Sequence, residues 1–308
     1  MKSYFRLMLG AKSVYVDDCV KGNFIGVSFS ILQDLTKDLT DNWRDFNKQY
    51  IPIWLSNHPG KSKVTAGLSC GAIWTVSKGI KKGDIVLSPN GSGSYYVGEV
   101  LGDYEYHPGE ILPHRRTVKW NDETIDRANM TDALKSSTGS SGTVSEITSY
   151  AQEIETLIGD NKPPSIISTD PTVEDPSVFA LEKHLEDFLV ANWKQTDLGK
   201  SYDLYEEDGE MIGKQYPCDT GFIDLLAISK DRKELLVIEL KKGRASDSVV
   251  GQIQRYMGYV QEELAEKGQT VRGIIIALDD DLRIKRVLVV APNISFYRYQ
   301  VSFKLFKA

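Results

Sequence analysis

Hydrophobic and polar positions along this chain follow three regimes. Up to about residue 128, short apolar runs alternate with polar residues: SYFRLMLG, NFIGVSF, GDIVLSPN, SYYVGEVLGDY and RRTVKW. Their aromatic and β-branched content, punctuated by Gly, Asn and Pro, predicts short strands joined by tight turns, with a turn over residues 80–84 entering one of them. Two helices are expected beside them, over Ile31 to Phe46 and over Leu68 to Lys78. The segment 129–176 begins with the linker-like SSTGSSGT. Val144, Ile147, Ala151, Ile154, Leu157 and Ile158 then recur at helical spacing. One amphipathic helix is expected there, for packing or, as the alternative, for dimerisation, followed by a Pro/Asp-rich stretch.

From residue 177 the pattern changes again. A helical stretch, LEKHLEDFLVANW, precedes the apolar runs GFIDLLAI, ELLVIEL, VRGIIIAL and RVLVVAP and a terminal ISFYRYQVSFKLFKA, all expected as strands. Between them, Val249, Ile253, Val260 and Leu264 form the core stripe of a helix. The expected organisation is therefore a β-rich domain over 1–128, a connector over 129–176 and an α/β domain over 177–308.

Composition narrows the class. The chain has 308 residues, 41% hydrophobic and 26% charged, as in an ordinary globular protein of two domains. No apolar run is long enough to span a bilayer and the amino terminus lacks a signal-peptide pattern, so a cytoplasmic protein without a membrane partner is expected. The net charge of −6 is concentrated in residues 131–176, where 8 acidic side chains face 2 basic ones. Bulk charge thus neither supports nor excludes nucleic acid; binding must use local patches. Cys19, Cys70 and Cys218 lack zinc-site spacing and are odd in number, which predicts reduced structural thiols. His58, His107, His114 and His184 also lack ligand spacing.

One constellation carries chemistry. Asp224 lies in a buried strand pattern, and Glu239 and Lys241 stand two apart in the next, which aims both at one face. A Glu-x-Lys in a strand is usually a solvated edge, but here apolar residues alternate on both faces, as in a central strand. Buried charges need partners or a metal. Two carboxylates can hold a hard divalent ion against a phosphodiester, and a lysine beside them can stabilise the charge that develops on phosphorus.

The ordered series of helical Glu, GxxD (Gly221 to Asp224), ExKxGR (Glu239 to Arg244) and QxxRY (Gln252 to Tyr256) resembles the PD-(D/E)xK nuclease superfamily. Over roughly Leu181 to Leu264 it resembles the carboxy-terminal nuclease domain of the NucS endonucleases. The resemblance implies a restriction-endonuclease-like mixed sheet flanked by helices, with Mg2+ or Mn2+ as cofactor. It implies a metal site of Asp224, Glu239, the Leu240 carbonyl and a helical glutamate, matched best by Glu186 with Glu182 one turn earlier as the alternative. Lys241 would support the transition state, Gln252 and Tyr256 would hold phosphate or water, and Gln215 and Arg244 are weaker additions.

The first half, especially WTVSKGIKKGDIVLSPNGSGSYYVGEVLGDY, is similar to PUA-like and EVE-like β-barrel modules. Such a module implies an aromatic wall that cradles a base, with Trp54, Trp74, Tyr95 and Tyr96 as candidates. Ser88 and Asn90 would then supply hydrogen bonds, and Arg115 and Arg116 would grip phosphate. Each has a structural competitor: the rings as core, Asn90-Gly91 as a hairpin turn, the arginines as solvated surface. The combined expectation is a metal-dependent DNA endonuclease, a restriction enzyme reading modified bases, acting as a homodimer. Its rivals are a mismatch or branched-DNA repair nuclease and a non-catalytic nucleic-acid-binding platform.

Overall fold

The structure, a computed structural model, describes residues 2–139, 142–159, 185–207, 209–280 and 282–299. It divides into two units, Met1–Pro176 and Ser177–Ala308. Glu182, His184, Asp281, Lys304 and the end of the expected terminal strand lie outside the described residues. Among the described residues no helix is long and apolar enough to cross a membrane.

Unit 1 is built on a six-stranded sheet. Its strands are β1 (Tyr4–Leu7), β2 (Phe24–Val27), β3 (Ile85–Pro89), β4 (Ser94–Tyr106), β5 (His114–Asp126) and β6 (Val144–Glu146), in the order β2-β5-β4-β3-β1-β6. Among the described residues only the β1–β3 pair is parallel. No pairing among the described residues joins β2 to β6, so these six strands form an open path, which leaves the expected small PUA/EVE-like barrel unconfirmed. Alternation along the strands feeds two cores. Phe5, Leu7 and Val86 pack with Phe46, Tyr50, Ile73 and Val76, which come from α2 (Trp43–Asn57), α3 (Lys63–Trp74) and the turn after it. Tyr4, Ile85 and Leu87 pack with Leu134 and Ile154, which come from α4 (Asp132–Thr138) and α5 (Ala151–Ile158). A short α1 (Val16–Gly22) precedes β2.

The helices depart from the expected ranges for identifiable reasons. Within 31–42 the Asp34 carboxylate accepts the Thr36 N–H and hydroxyl, a local turn that competes with helix, and α2 starts only where Asn42 caps Arg44. It then runs through Pro52, the residue that hides it from a propensity reading. Ser62 caps α3 five residues before the expected start, and a π-helical turn, Thr75–Gly79, ends it. The helix expected over 144–158 is split. Val144–Glu146 joins the sheet edge against β1, and the helix proper is α5. Residues 130–158 therefore contribute to the core of unit 1, through Met130, Leu134, Ile147 and Ile154.

Unit 2 is a mixed sheet flanked by helices, as expected. Residues 185–192 form α6. Then come β7 (Tyr202–Leu204), a small hairpin of β8 (Glu206–Glu207) and β9 (Glu210–Met211), β10 (Lys214–Cys218), β11 (Gly221–Ser229), β12 (Glu234–Arg244), α7 (Ser248–Tyr259), β13 (Thr270–Asp279), α8 (Leu282–Val289) and β14 (Ile294–Arg298). The sheet order is β10-β11-β12-β13-β14, with β7 on the same edge of β11 as β10. β12, β13 and β14 are parallel. That topology explains one correction. Arg286–Pro292 is β-branched and was expected as a strand, but a parallel β13–β14 pair needs a crossover, and α8 supplies it. Only Ile284 of α8 is buried, whereas Val289 is left 81% exposed.

Candidate active site

The two faces of the unit 2 sheet assign the chemistry. Leu225, Ala227, Leu236, Ile238 and Leu240 pack together with Leu189 of α6 and Trp193. Period-two alternation therefore sets Asp224, Glu239 and Lys241 on the other face. The β11–β12 pairing ends at Leu225↔Ile238, while β12 continues beside β13 through Lys241↔Ala277. At this fork the Asp224 side chain replaces a ladder carbonyl: its Oδ2 accepts the Leu240 N–H at 2.7 Å. Both functional strands are thus locked to one another by the candidate ligand itself.

The fork gathers further groups. Antiparallel pairing of β10 with β11 brings Gln215 opposite Asp224, and Gln215 holds the unusual φ of +51°. Its Nε2 donates to Asp224 Oδ1 at 3.1 Å and also to Glu186 Oε2. Glu186, projecting from α6, is 4% exposed and its Oε1 meets Lys214 Nζ at 3.1 Å. Lys214 also meets Asp187 at 2.6 Å. Glu239 is 2% exposed, and Lys241 Nζ lies 2.9 Å from its Oε1. Between Glu182 and Glu186, only Glu186 lies within the described residues, and it stands in the cluster.

The carboxylates at the fork act on one another. Burial pushes the Asp224 carboxyl well above the ordinary carboxylate value, and the charges of Glu239 and Glu186 push it the same way. The Leu240 N–H and Lys241 act against this without cancelling it. Among the described residues, no three His, Cys, Asp or Glu groups form a ready metal shell; the Gln215 amide spans Glu186 and Asp224 instead. The donor chemistry nevertheless fits a hard dication: buried carboxylate oxygens, mutually repelling, beside a fixed backbone at Leu240.

Gln252 and Tyr256 stack one turn apart on α7, with Gln252 Nε2 donating to the Tyr256 hydroxyl at 3.1 Å. Tyr256 is buried and its pKa is raised, first by desolvation and also by the charges of Glu239 and Asp224, which places the hydroxyl within the field of the site. Gly221 makes room for it: a Cβ there would come 2.8 Å from the Tyr256 oxygen, on a backbone with φ +140°. Arg244 instead reaches Asp279 at 3.3 Å with both side chains exposed, a weak surface pair at the end of β12. A cavity of about 660 Å³ elsewhere in unit 2, lined by Trp193, Tyr205 and Arg232 among others, contains none of these groups.

Lys214 is absent from the sequence reading and Gln215 is undervalued in it. The available signal was the Asp219-Thr220-Gly221 turn, which fixes the hairpin register that brings Gln215 to Asp224.

The residues proposed to read a base are not gathered. Trp54 is 4% exposed and stacks on His58, while Trp74 donates its Nε1 to the Thr40 carbonyl. Tyr96 packs edge-on to Trp120 beside one core, and Tyr95 lies in the other. Ser88 is fully buried. Asn90 caps its own hairpin, accepting the Ser92 and Ser94 N–H groups at 2.9 and 3.0 Å. Arg115 is 8% exposed, pairs with Glu110 and lies over the Phe24 ring. Arg116 is spent on the carbonyls of Val76, Ser77 and Gly102. These placements are structural, set by burial and by local hydrogen bonds.

Unit 2, a mixed sheet with this carboxylate and lysine cluster at its fork, is similar to the NucS endonucleases. Residues 182–298 match the family model of the endonuclease NucS C-terminal domain, and residues 5–148 match a domain of unknown function (DUF8426). Endonuclease NucS of Methanocaldococcus jannaschii is 36% identical over 75 residues, 24% of this chain and 27% of that protein. Endonuclease NucS of Methanopyrus kandleri is 28% identical over 114 residues, 37% of this chain and 40% of that protein. The matches thus span well under half the length of these relatives. A solved EndoMS complex with double-stranded DNA covers 71% of this chain and 66% of its own, at 14% identity and a TM-score of 0.34.

Proposed function

We propose that this protein is a divalent-metal-dependent DNA endonuclease whose centre is the fork of β11 and β12. The observation that carries the reading is the convergence of half-buried Asp224 and buried Glu239 with Lys241, whose ammonium lies 2.9 Å from Glu239. Asp224, Glu239, Glu186 and the Leu240 carbonyl would hold Mg2+ or Mn2+. When bound, such an ion supplies charge neutralisation at the phosphate and acidifies water at neutral pH. The chain's own residues do the rest. Lys241, 31% exposed in its side chain, presents positive charge to the non-bridging phosphate oxygens as charge accumulates. Gln252 and Tyr256 orient phosphate or water from α7, and the apolar sheet beneath lowers the local dielectric.

The biology we infer is restriction of invading or base-modified DNA, with unit 1 as the recognition module and two copies supplying two cuts. A mismatch or branched-DNA repair nuclease is the second reading, favoured by the NucS match of residues 182–298. The match of residues 5–148 to a different model favours a distinct recognition task. The test is digestion of unmodified, methylated, hydroxymethylated, glucosylated, mismatched and single-stranded substrates with Mg2+ or Mn2+. Preference for a modified duplex supports restriction, preference for mismatches supports repair, and cleavage of none in either metal rejects the nuclease reading.

A further inference from the structure

Unit 1 contains a cleft of about 360 Å³ whose chemistry the fold does not use up. Its wall is the π-helical turn Thr75–Gly79 and the turn that follows, and it is lined by Ser77, Lys78, Lys81, Lys82, Asp103 and Arg116 together with apolar and hydroxyl side chains. Four cations face one carboxylate. This contrasts with the near balance of charge elsewhere in the first 130 residues, where 12 basic residues accompany 13 acidic ones.

The frame holding these cations is rigid. Asp84, 4% exposed, accepts the backbone N–H groups of Lys81 and Ser3 at 2.8 and 2.9 Å, which fixes the lysine turn. Gly83 allows that turn with φ +87°. Arg116 is 5% exposed and its guanidinium is bound by three carbonyls, two of them from the π-helical turn, with no carboxylate paired to it among the described residues. Burial lowers its pKa, the mark of a cation left incompletely compensated. Ser77 is 1% exposed, and its hydroxyl has no hydrogen-bond partner among the described residues. A buried cation and an unused donor behind three lysines both call for an anion from outside.

The present partners of the lysines are easily exchanged. Lys82 meets Asp103 at 2.7 Å and Lys78 meets Asp41 at 3.0 Å, but Asp103 and Asp41 are 80% and 98% exposed. Such pairs are held weakly against solvent and salt. A phosphate can displace them and gain several charge-assisted hydrogen bonds at once.

We propose that this cleft binds a phosphodiester group of nucleic acid, giving unit 1 a backbone grip that does not depend on base identity. The assignment rests on DNA being the ligand of the whole protein, as proposed above, but not on cleavage. It is tested on the full chain by duplex binding in EDTA across a salt series, so that hydrolysis plays no part. For Lys81→Ala/Lys82→Ala, the slope of log K against log salt should fall by about 2, one per lysine. Affinity at low salt should fall by about ten-fold or more. Lys21→Ala/Lys48→Ala removes the same charge from exposed positions on α1 and α2 and should leave the slope near that of the wild type.

Both lysines of the first variant are exposed, so its folding is expected to be intact; thermal unfolding checks this, and the single Lys82→Ala change gives a milder version of the same test. An unchanged slope in Lys81→Ala/Lys82→Ala, or an equal loss in the control, overturns the proposal. Inorganic phosphate provides the second arm. Chemical-shift changes confined to this cleft at low phosphate concentration, with no slope change for DNA, would assign it to free phosphate and overturn the nucleic-acid source. A wild type that binds duplex through the cleft yet never cleaves would reject the nuclease reading and leave the cleft standing.

Discussion

Gln215 holds Asp224 in place: its side-chain amide donates to Asp224 Oδ1 at 3.1 Å while also donating to Glu186. One amide therefore separates two carboxylates that burial has brought together, and it does so from a backbone at φ +51°.

Gln215→Asn tests that role with little backbone penalty, because Asn tolerates the left-handed region but its amide is one methylene too short to span both carboxylates. The metal-free protein should lose about 1–3 kcal/mol of stability, the cost of leaving buried acceptors without a donor. Mn2+ should restore more stability to this variant than to the wild type. Denaturant titrations with and without Mn2+ measure both effects; identical midpoints for variant and wild type would deny the amide any such part.

Gly221 and Tyr256 give a second prediction. Gly221→Ala adds a Cβ 2.8 Å from the Tyr256 hydroxyl at φ +140°. It should destabilise unit 2 by about 1–3 kcal/mol through strain and displaced contact. Tyr256→Phe removes the obstructing oxygen but not the strain. The double variant should accordingly be more stable than the sum of the singles by about 0.5 kcal/mol or more. Strict additivity in the cycle would show that the contact is not felt.

His114 sets a pH dependence in unit 1. It is fully buried, with Nε2 donating to the Ile31 carbonyl at 2.7 Å and the Tyr104 hydroxyl at 2.9 Å from Nδ1. Burial lowers its pKa from the ordinary 6.5, with the Ile31 hydrogen bond and the charge of Asp34 opposing the shift. The unfolded chain therefore takes up the proton first. The contribution is present above the unfolded value of about 6.5 and is lost as pH falls toward the lowered folded value, so stability should drop as pH falls below about 6.5. His114→Gln should be less stable at neutral pH and show a flatter profile over that interval in chemical denaturation. An equally steep profile in the variant would place the dependence elsewhere.

How much was legible in sequence depended on whether a signal was local. Strand alternation around Asp224, Glu239 and Lys241 is local, and it placed those residues on one face of a strand pair buried on both sides. The stripe Val249, Ile253, Val260 and Leu264 is local too, and all four are buried. Lys214 and Gln215 enter the site through hairpin register, a relation between strands that no single segment displays. The α8 segment misled because its valines favour strands, while the parallel order of β13 and β14 decides its form. Trp54 and Arg115 misled for a related reason: the same residue types that bind nucleic acid also fill cores and hold carbonyls, and only packing separates the two uses.

The most direct test of the central claim is cleavage of a duplex by the full chain with Mn2+, compared with Lys241→Met and Glu239→Gln under the same conditions. The account predicts metal-dependent hydrolysis by the wild type, abolished by chelation and reduced at least about 100-fold in each variant, with both variants folded. Undiminished metal-dependent cleavage by either variant would contradict it.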